Sequence, residues 1–194
     1  ERLKRRVEQG FTFLKMDVNI DLVRSTPDTL SYPVGQSFAY ADPTVNMFTG
    51  IEITDKGIAM MADYIARVRE VAGWQVPIAT DHYGHVGVNS IIRLGKAFQK
   101  YNLAWMEDCI PWQYTDLLKK ITDAMDVATL TGEDIYGKEA FEVLCREHAV
   151  DMIQPDLATA GGILETHKIG DMAQEYGVPM ALHMAGSPIS CMAS

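Results

Sequence analysis

The sequence holds no Cys-x-x-Cys pair, no long apolar run and no excess of positive charge, and each absence removes a class of protein. Its three cysteines, Cys109, Cys145 and Cys191, are odd in number and far apart, which argues against a disulfide framework and against a thiolate zinc site. A reducing cytoplasm is the expected compartment. No run approaches the roughly 20 apolar residues that a membrane span needs. The opening "ERLKRRVEQG" carries charge with no apolar segment behind it, so it is not read as a signal peptide. With 17 Lys and Arg against 26 Asp and Glu, the net charge of -9 opposes a nucleic-acid backbone. A small anionic substrate would therefore need a positive field made locally. The sequence also lacks an initiating Met and opens inside a helical pattern, so an internal piece of a longer protein is expected.

What remains is 47% hydrophobic and 22% charged, enough apolar material for a sizeable core. Hydrophobic period repeats one unit along the chain: a short apolar run, a turn, then an amphipathic stretch. Strands are expected at residues 11–18 ("FTFLKMDV"), 76–80 ("VPIAT"), 103–107 ("LAWME"), 127–132 ("VATLTG"), 150–154 ("VDMIQ") and 178–183 ("VPMALH"). Helices are expected at 55–73, 88–101, 114–125, 137–149 and 161–177. Such alternation implies parallel strands joined by helical crossovers, in a doubly wound sheet or a barrel. No glycine-rich dinucleotide fingerprint follows the first strand, which favours a (β/α)8 TIM-type barrel. Such a barrel takes about 250 residues, so six strands in 194 residues predict an incomplete one spanning 1–194. The one long break, residues 19–54, is too long for an ordinary βα loop.

Polar groups end the apolar runs: Lys15 and Asp17, Asp81, Glu107, Glu133, Asp156 and His183. Asp81 to Glu107 and Glu107 to Glu133 are each 26 positions, Glu133 to Asp156 is 23, and Asp156 to His183 is 27. Each interval is one strand-helix unit. Parallel barrel strands all end on one face, so successive groups would converge there. Three hard oxygen ligands, Asp81, Glu107 and Glu133, with no Cys or His among them, suit octahedral Mg2+ completed by water and substrate. Any one acid could instead cap the helix that follows it; three in register favour the metal. His183, beside Asp156, suits a general base whose tautomer a carboxylate fixes. A satisfied core histidine fits that position equally well.

Taken together, "LKMD", "ATDHYGH", "WMEDC", "TGEDIYG", "IQPDLATAGGI" and "ALHMAGSP" resemble the enolase superfamily, specifically its mandelate racemase subgroup, over nearly the whole chain. The resemblance implies Mg2+ on Asp81, Glu107 and Glu133, gripping the carboxylate of a small-molecule substrate. It implies removal of the proton α to that carboxylate, with the enediolate stabilised as in enolase-type sites. His183, paired with Asp156, is then the base on one face, and Lys15 contacts substrate. An α+β capping domain would precede Glu1 and a last strand would follow Ser194. A homo-oligomer is expected. Two departures stand out. Asp17 occupies the position where many relatives carry a second lysine, and as a residue i+2 from Lys15 it shares that strand face and is expected to pair with it. Tyr83 stands where galactonate-type dehydratases carry a catalytic His, flanked by His82 and His85, so Tyr83 and His85 are candidate acids. In residues 19–54, Arg24, Tyr32, Phe38 and Tyr40 are candidate contacts, with Arg24 and Tyr40 assigned to substrate. The expected reaction is dehydration of a sugar acid, an aldonate or aldarate, to a 2-keto-3-deoxy acid. A racemase or epimerase, or a catalytically silent barrel kept for assembly, are the alternatives.

Overall fold

The computed structural model describes residues 2–31, 51–83 and 86–194. The chain divides into two compact units, Glu1–Ile110 with Met125–Val127, and Pro111–Ala124 with Ala128–Ser194.

The first unit begins with a short helix, α1 (Arg2–Glu8), and the strand β1 (Leu14–Asp17). The described parts of the long break form a single turn of 3-10 helix, Ile20–Leu22, and a small antiparallel ribbon of β2 (Leu30–Ser31) and β3 (Glu52–Ile53). Residues 32–50, with Tyr32, Phe38 and Tyr40, lie outside the described residues. Helix α2 (Asp55–Ala72), strand β4 (Ile78–Asp81), helix α3 (Val88–Phe98) and strand β5 (Trp105–Glu107) complete the unit. Strands β1, β4 and β5 are parallel, with Leu14 to Asp17 opposite Ile78 to Asp81, and Ala79 and Thr80 opposite Trp105 and Met106.

Helix α2 forms where its pattern predicts it. Thr54 caps it through Oγ1, accepting from Gly57 N, and Gly73 at φ 73 follows its end. Its buried stripe is Ile58, Met61, Ala62, Ile65, Val68 and Ala72, a helical spacing that turns one face to the core. All four residues of β4 are buried, as expected for a parallel strand covered on both faces. That is why Asp81, at its end, is only 1% exposed. Arg69 also lies inside this apolar stripe and is buried. Its guanidinium donates to the carbonyls of Tyr101 (2.8 Å), Gly73 (3.1 Å), Val76 (2.7 Å) and Asn102 (2.6 Å). It joins the C-terminal end of α2 to the approaches of β4 and β5 through four charge-assisted hydrogen bonds.

The second unit repeats the pattern with α4 (Thr115–Thr122), β6 (Thr129–Thr131), α5 (Lys138–Arg146), β7 (Met152–Ile153), α6 (Leu157–Ala160), α7 (Ile163–Glu175) and α8 (Pro188–Ala193). Strands β6 and β7 are parallel, with Leu130 and Thr131 opposite Met152 and Ile153. Phe141, Leu144 and Cys145 of α5 and Ile169, Met172 and Ala173 of α7 are buried in its core. The expected strand at 178–183 appears as two parallel bridges, Ile153 with Met180 and Asp156 with His183, outside any named strand. Three ladder bonds are made, Ile153 N to Pro179 O, Ala181 N to Ile153 O and His183 N to Pro155 O. Pro155 and Pro179 have no N–H to add to them. Among the described residues no helix is long and apolar enough to cross a membrane.

Candidate active site

In the first unit, strand register sets the site. Asp17 lies opposite Asp81, and Lys15 lies two residues before Asp17 on the same strand. The Lys15 ammonium donates to Asp81 Oδ2 at 2.7 Å and to Glu107 Oε1 at 2.6 Å. Glu107 is fully buried, and its other oxygen accepts from Trp105 Nε1 at 2.8 Å. Trp105 and Glu107 share a face of β5 by the two-residue period of a strand. The Trp105 ring stacks on Phe13, centroids 4.8 Å apart, so the side chain that donates to Glu107 is itself held by an aromatic contact. Oxygens of Asp81, Glu107 and Asp108 lie within 4.8 Å of one another, as do ligand atoms of Asp17, Asp81 and His82.

The charges of this trio perturb one another. Burial, the largest influence on Glu107, raises its carboxyl above the ordinary value, and the neighbouring Asp81 charge adds to this; the Lys15 and Trp105 bonds pull it back only in part. Burial alone would lower the Lys15 ammonium, but the bonds and charges of Asp81 and Glu107 outweigh it and raise it.

The structure corrects the expected partner of Asp17. Lys15 gives its ion pairs to the two buried acids, whereas exposed Asp17 pairs with the His82 ring, Nδ1 to Oδ1 at 3.0 Å. Buried carboxylates lack water to solvate them and so compete harder for the ammonium. Tyr83 is buried, and its hydroxyl donates to Thr80 Oγ1 at 2.5 Å. Burial, joined by the charges of Cys109 and Asp81, raises its phenol well above the ordinary value, which makes it a weak proton donor. His85 and Tyr40 lie outside the described residues. Arg24 is exposed and pairs with Asp21 at 3.1 Å.

In the second unit, His183 sits between two carboxylates. Its Nδ1 is 2.8 Å from Asp156 Oδ2, and its Nε2 is 2.8 Å from Glu133 Oε2. Carboxylates accept but do not donate, so both contacts are hydrogen bonds only when each ring nitrogen carries a proton. Asp156 is fixed from several sides. Its Oδ1 caps α6 by accepting from Ala158 N and Thr159 N, and its Oδ2 also accepts from Ala185 N. Burial pushes this carboxyl up most, yet the bonds from His183, Ala158, Ala185 and Thr159 together bring it below the ordinary value. Glu133 follows Gly132, whose φ of 150 and whose absent Cβ, which would lie 2.8 Å from the Gln154 backbone, exclude a side chain.

An oxygen-only donor set fits Mg2+. In each unit the acids expected to hold the ion meet a side chain that donates to them, Lys15 for Asp81 and Glu107, and His183 for Glu133. Buried carboxylates that require positive charge are what such an ion needs. Sequence reasoning gave no role to His82 or to Asp108 and passed over Trp105. Trp105 left a signal in its same-face spacing from Glu107.

The family described as enolase C-terminal domain-like matches residues 1–194. The chain is 36% identical over 133 residues to the D-xylonate dehydratase of Haloferax volcanii, covering 68% of this chain and 32% of that one. It is 30% identical over 145 residues to the arabinonate dehydratase of Saccharolobus solfataricus, covering 74% and 39%. Among solved structures, a mandelate racemase/muconate lactonizing enzyme-like protein from Rubrobacter xylanophilus aligns over 99% of this chain and 44% of its own, with a TM-score of 0.80 at 28% identity. The chain thus spans roughly a third of the length of these curated relatives. The fold is α/β, part of a (β/α)8 barrel.

Proposed function

The chain belongs to the enolase C-terminal domain-like family, and on that premise we propose that it is the barrel portion of a Mg2+-dependent sugar-acid dehydratase. The observation that carries the reading is the buried pair Asp81 and Glu107, ending neighbouring strands and neutralised by Lys15. Similarity to D-xylonate and arabinonate dehydratases supports the substrate class, aldonates among them. Asp81, Glu107 and Glu133 would hold the ion. When bound, it supplies positive charge that makes the proton beside a carboxylate easier to remove.

The chain's own residues do the rest. Asp156 accepts from His183 Nδ1, which fixes the tautomer and leaves Nε2 to take the α-proton. Nε2 lies 2.8 Å from Glu133 Oε2, so it would be free to act as the base if Glu133 served as a ligand of the ion. Lys15 then contributes charge to the substrate carboxylate. The β-hydroxyl leaves as water, aided by a proton from the same imidazolium, and the product is a 2-keto-3-deoxy acid. Asp17 lies beside His82 rather than aimed as a second base, which favours dehydration over exchange on both faces of the α-carbon.

The test uses full-length protein with Mg2+ and a panel of aldonic and aldaric acids. It follows 2-keto acid formation and deuterium uptake from D2O. Keto acid from at least one aldonate, lost in His183→Asn, is expected. Epimerisation at C2 without keto acid would overturn the dehydratase reading. Glu107→Gln should weaken Mg2+ binding strongly by calorimetry.

A further inference from the structure

We propose that Asp17 and His82 form a positioning pair that fixes the metal-facing orientation of Asp81; this rests on the reading of Asp81 as a cation ligand. Three observations point to it. The main-chain N–H of His82 donates to Asp81 Oδ1 at 2.6 Å. The His82 ring is held by Asp17, Nδ1 to Oδ1 at 3.0 Å, and stands 3.6 Å from Asp81 Oδ2. His82 also has a φ of 64, a left-handed conformation that costs a residue with a Cβ and that persists only where surrounding contacts enforce it.

The geometry assigns each oxygen of Asp81 a holder. Lys15 takes Oδ2 and the His82 N–H takes Oδ1. With an ion in place of Lys15, the His82 N–H would be the contact that holds the carboxylate plane, and the φ of 64 at His82 sets the direction of that N–H. The Asp17 carboxylate, opposite Asp81 in the strand register, is positioned to hold the ring and hence that backbone. Partners of this kind, which orient a ligand without touching the metal, commonly matter tenfold or more in affinity. This also gives a role to an acid standing where the motif led one to expect a lysine. An exposed contact of this kind contributes little to stability by itself, so the effect must appear in metal affinity.

The experiment is calorimetric titration of Mg2+ into ligand-free full-length protein, with thermal unfolding measured in parallel. Asp17→Ala should weaken Mg2+ binding about tenfold with its melting temperature nearly unchanged. Asp17→Asn, which keeps the Oδ1 acceptor, should recover most of the affinity. His82→Gly tolerates the φ of 64 but has no ring to hold, so it should weaken binding as Asp17→Ala does, and the double variant should be no worse than either single one. Additive losses, or Mg2+ affinity in Asp17→Ala within twofold of the parent, would overturn the proposal. Glu107→Gln separates the two levels. If it binds Mg2+ normally, the metal-site reading itself fails and takes this pair with it. If it loses binding while Asp17→Ala keeps it, only the positioning role fails.

Discussion

Replacing Lys15 by Met tests the electrostatics of the site without any assumption about substrate. Methionine keeps much of the length and apolar stem but removes the ammonium. The loss leaves Asp81 and Glu107, with side chains 2% and 0% exposed, facing each other without the cation that lies 2.7 and 2.6 Å away. Removing one partner of a buried ion pair costs about 3–5 kcal/mol. Because the Lys15 side chain is itself 33% exposed, water can enter the space it vacates, and the lower end, about 3 kcal/mol at neutral pH, is expected. Two carboxylates in one site share a proton more readily than they share a double charge, so the penalty should shrink in acid. The sign follows from Glu107, whose folded-state carboxyl is raised above the ordinary value of 4.5 by burial and by Asp81. The folded state then binds more protons than the unfolded state between the two values, and stability falls as pH rises through that window. Without Lys15 the raised value climbs further, and the window extends toward neutrality. Mg2+ should shrink the defect, since the variant has no ammonium for the ion to displace from Asp81 and Glu107, binds the ion more tightly than the parent and so gains more stability from it. The assay is urea unfolding of full-length protein followed by tryptophan fluorescence, at pH 5 and pH 7.5, with and without Mg2+. A variant within 1 kcal/mol of the parent at pH 7.5 without metal would refute the argument. So would a deficit that is larger at pH 5, or one that Mg2+ leaves untouched.

Arg69→Met should cost about 3 kcal/mol of unfolding free energy, because four main-chain carbonyls lose one buried guanidinium and bonds to charged groups are worth about 1.5–3 kcal/mol each before water takes over part of the loss. Mg2+ affinity measured on the folded fraction should not change; a variant as stable as the parent contradicts the assignment. Thiol labelling should find Cys191 alone reactive in the native protein, since it is exposed while Cys109 and Cys145 are buried. Burial, with the charge of Glu142, pushes the Cys145 thiol up to about 11, and burial with Asp108 pushes Cys109 higher still, so neither supplies thiolate at neutral pH. Labelling of Cys109 or Cys145 without denaturant would contradict this packing.

Much of the fold could be read from the chain because its signals are local. Hydrophobic period, the Thr54 cap and the Gly73 stop place helix α2 where it is found, and an apolar run buried on both faces identifies β4. The acids at the strand ends were legible for a topological reason. Parallel strands separated by one helix each return to the same side, so a spacing near 26 residues carries information about space. The weak points were local exceptions: the pairing at 178–183 is broken into bridges where two prolines cannot donate.

Partner choice was not legible, and for a physical reason. Period-two geometry puts Lys15 and Asp17 on one face, but it cannot rank the acids that compete for the ammonium. That ranking depends on burial, which the tertiary structure sets, bringing Lys15 to Asp81 and Glu107 across 66 and 92 residues of sequence and leaving Asp17 to His82. The same holds for His183, whose strand-end position is written in the sequence while its contact with Glu133 is not. A side chain's residue type and register determine what chemistry it can offer. The dielectric around it and the nearest competing charge decide which partner receives it, and those exist only once the chain has packed.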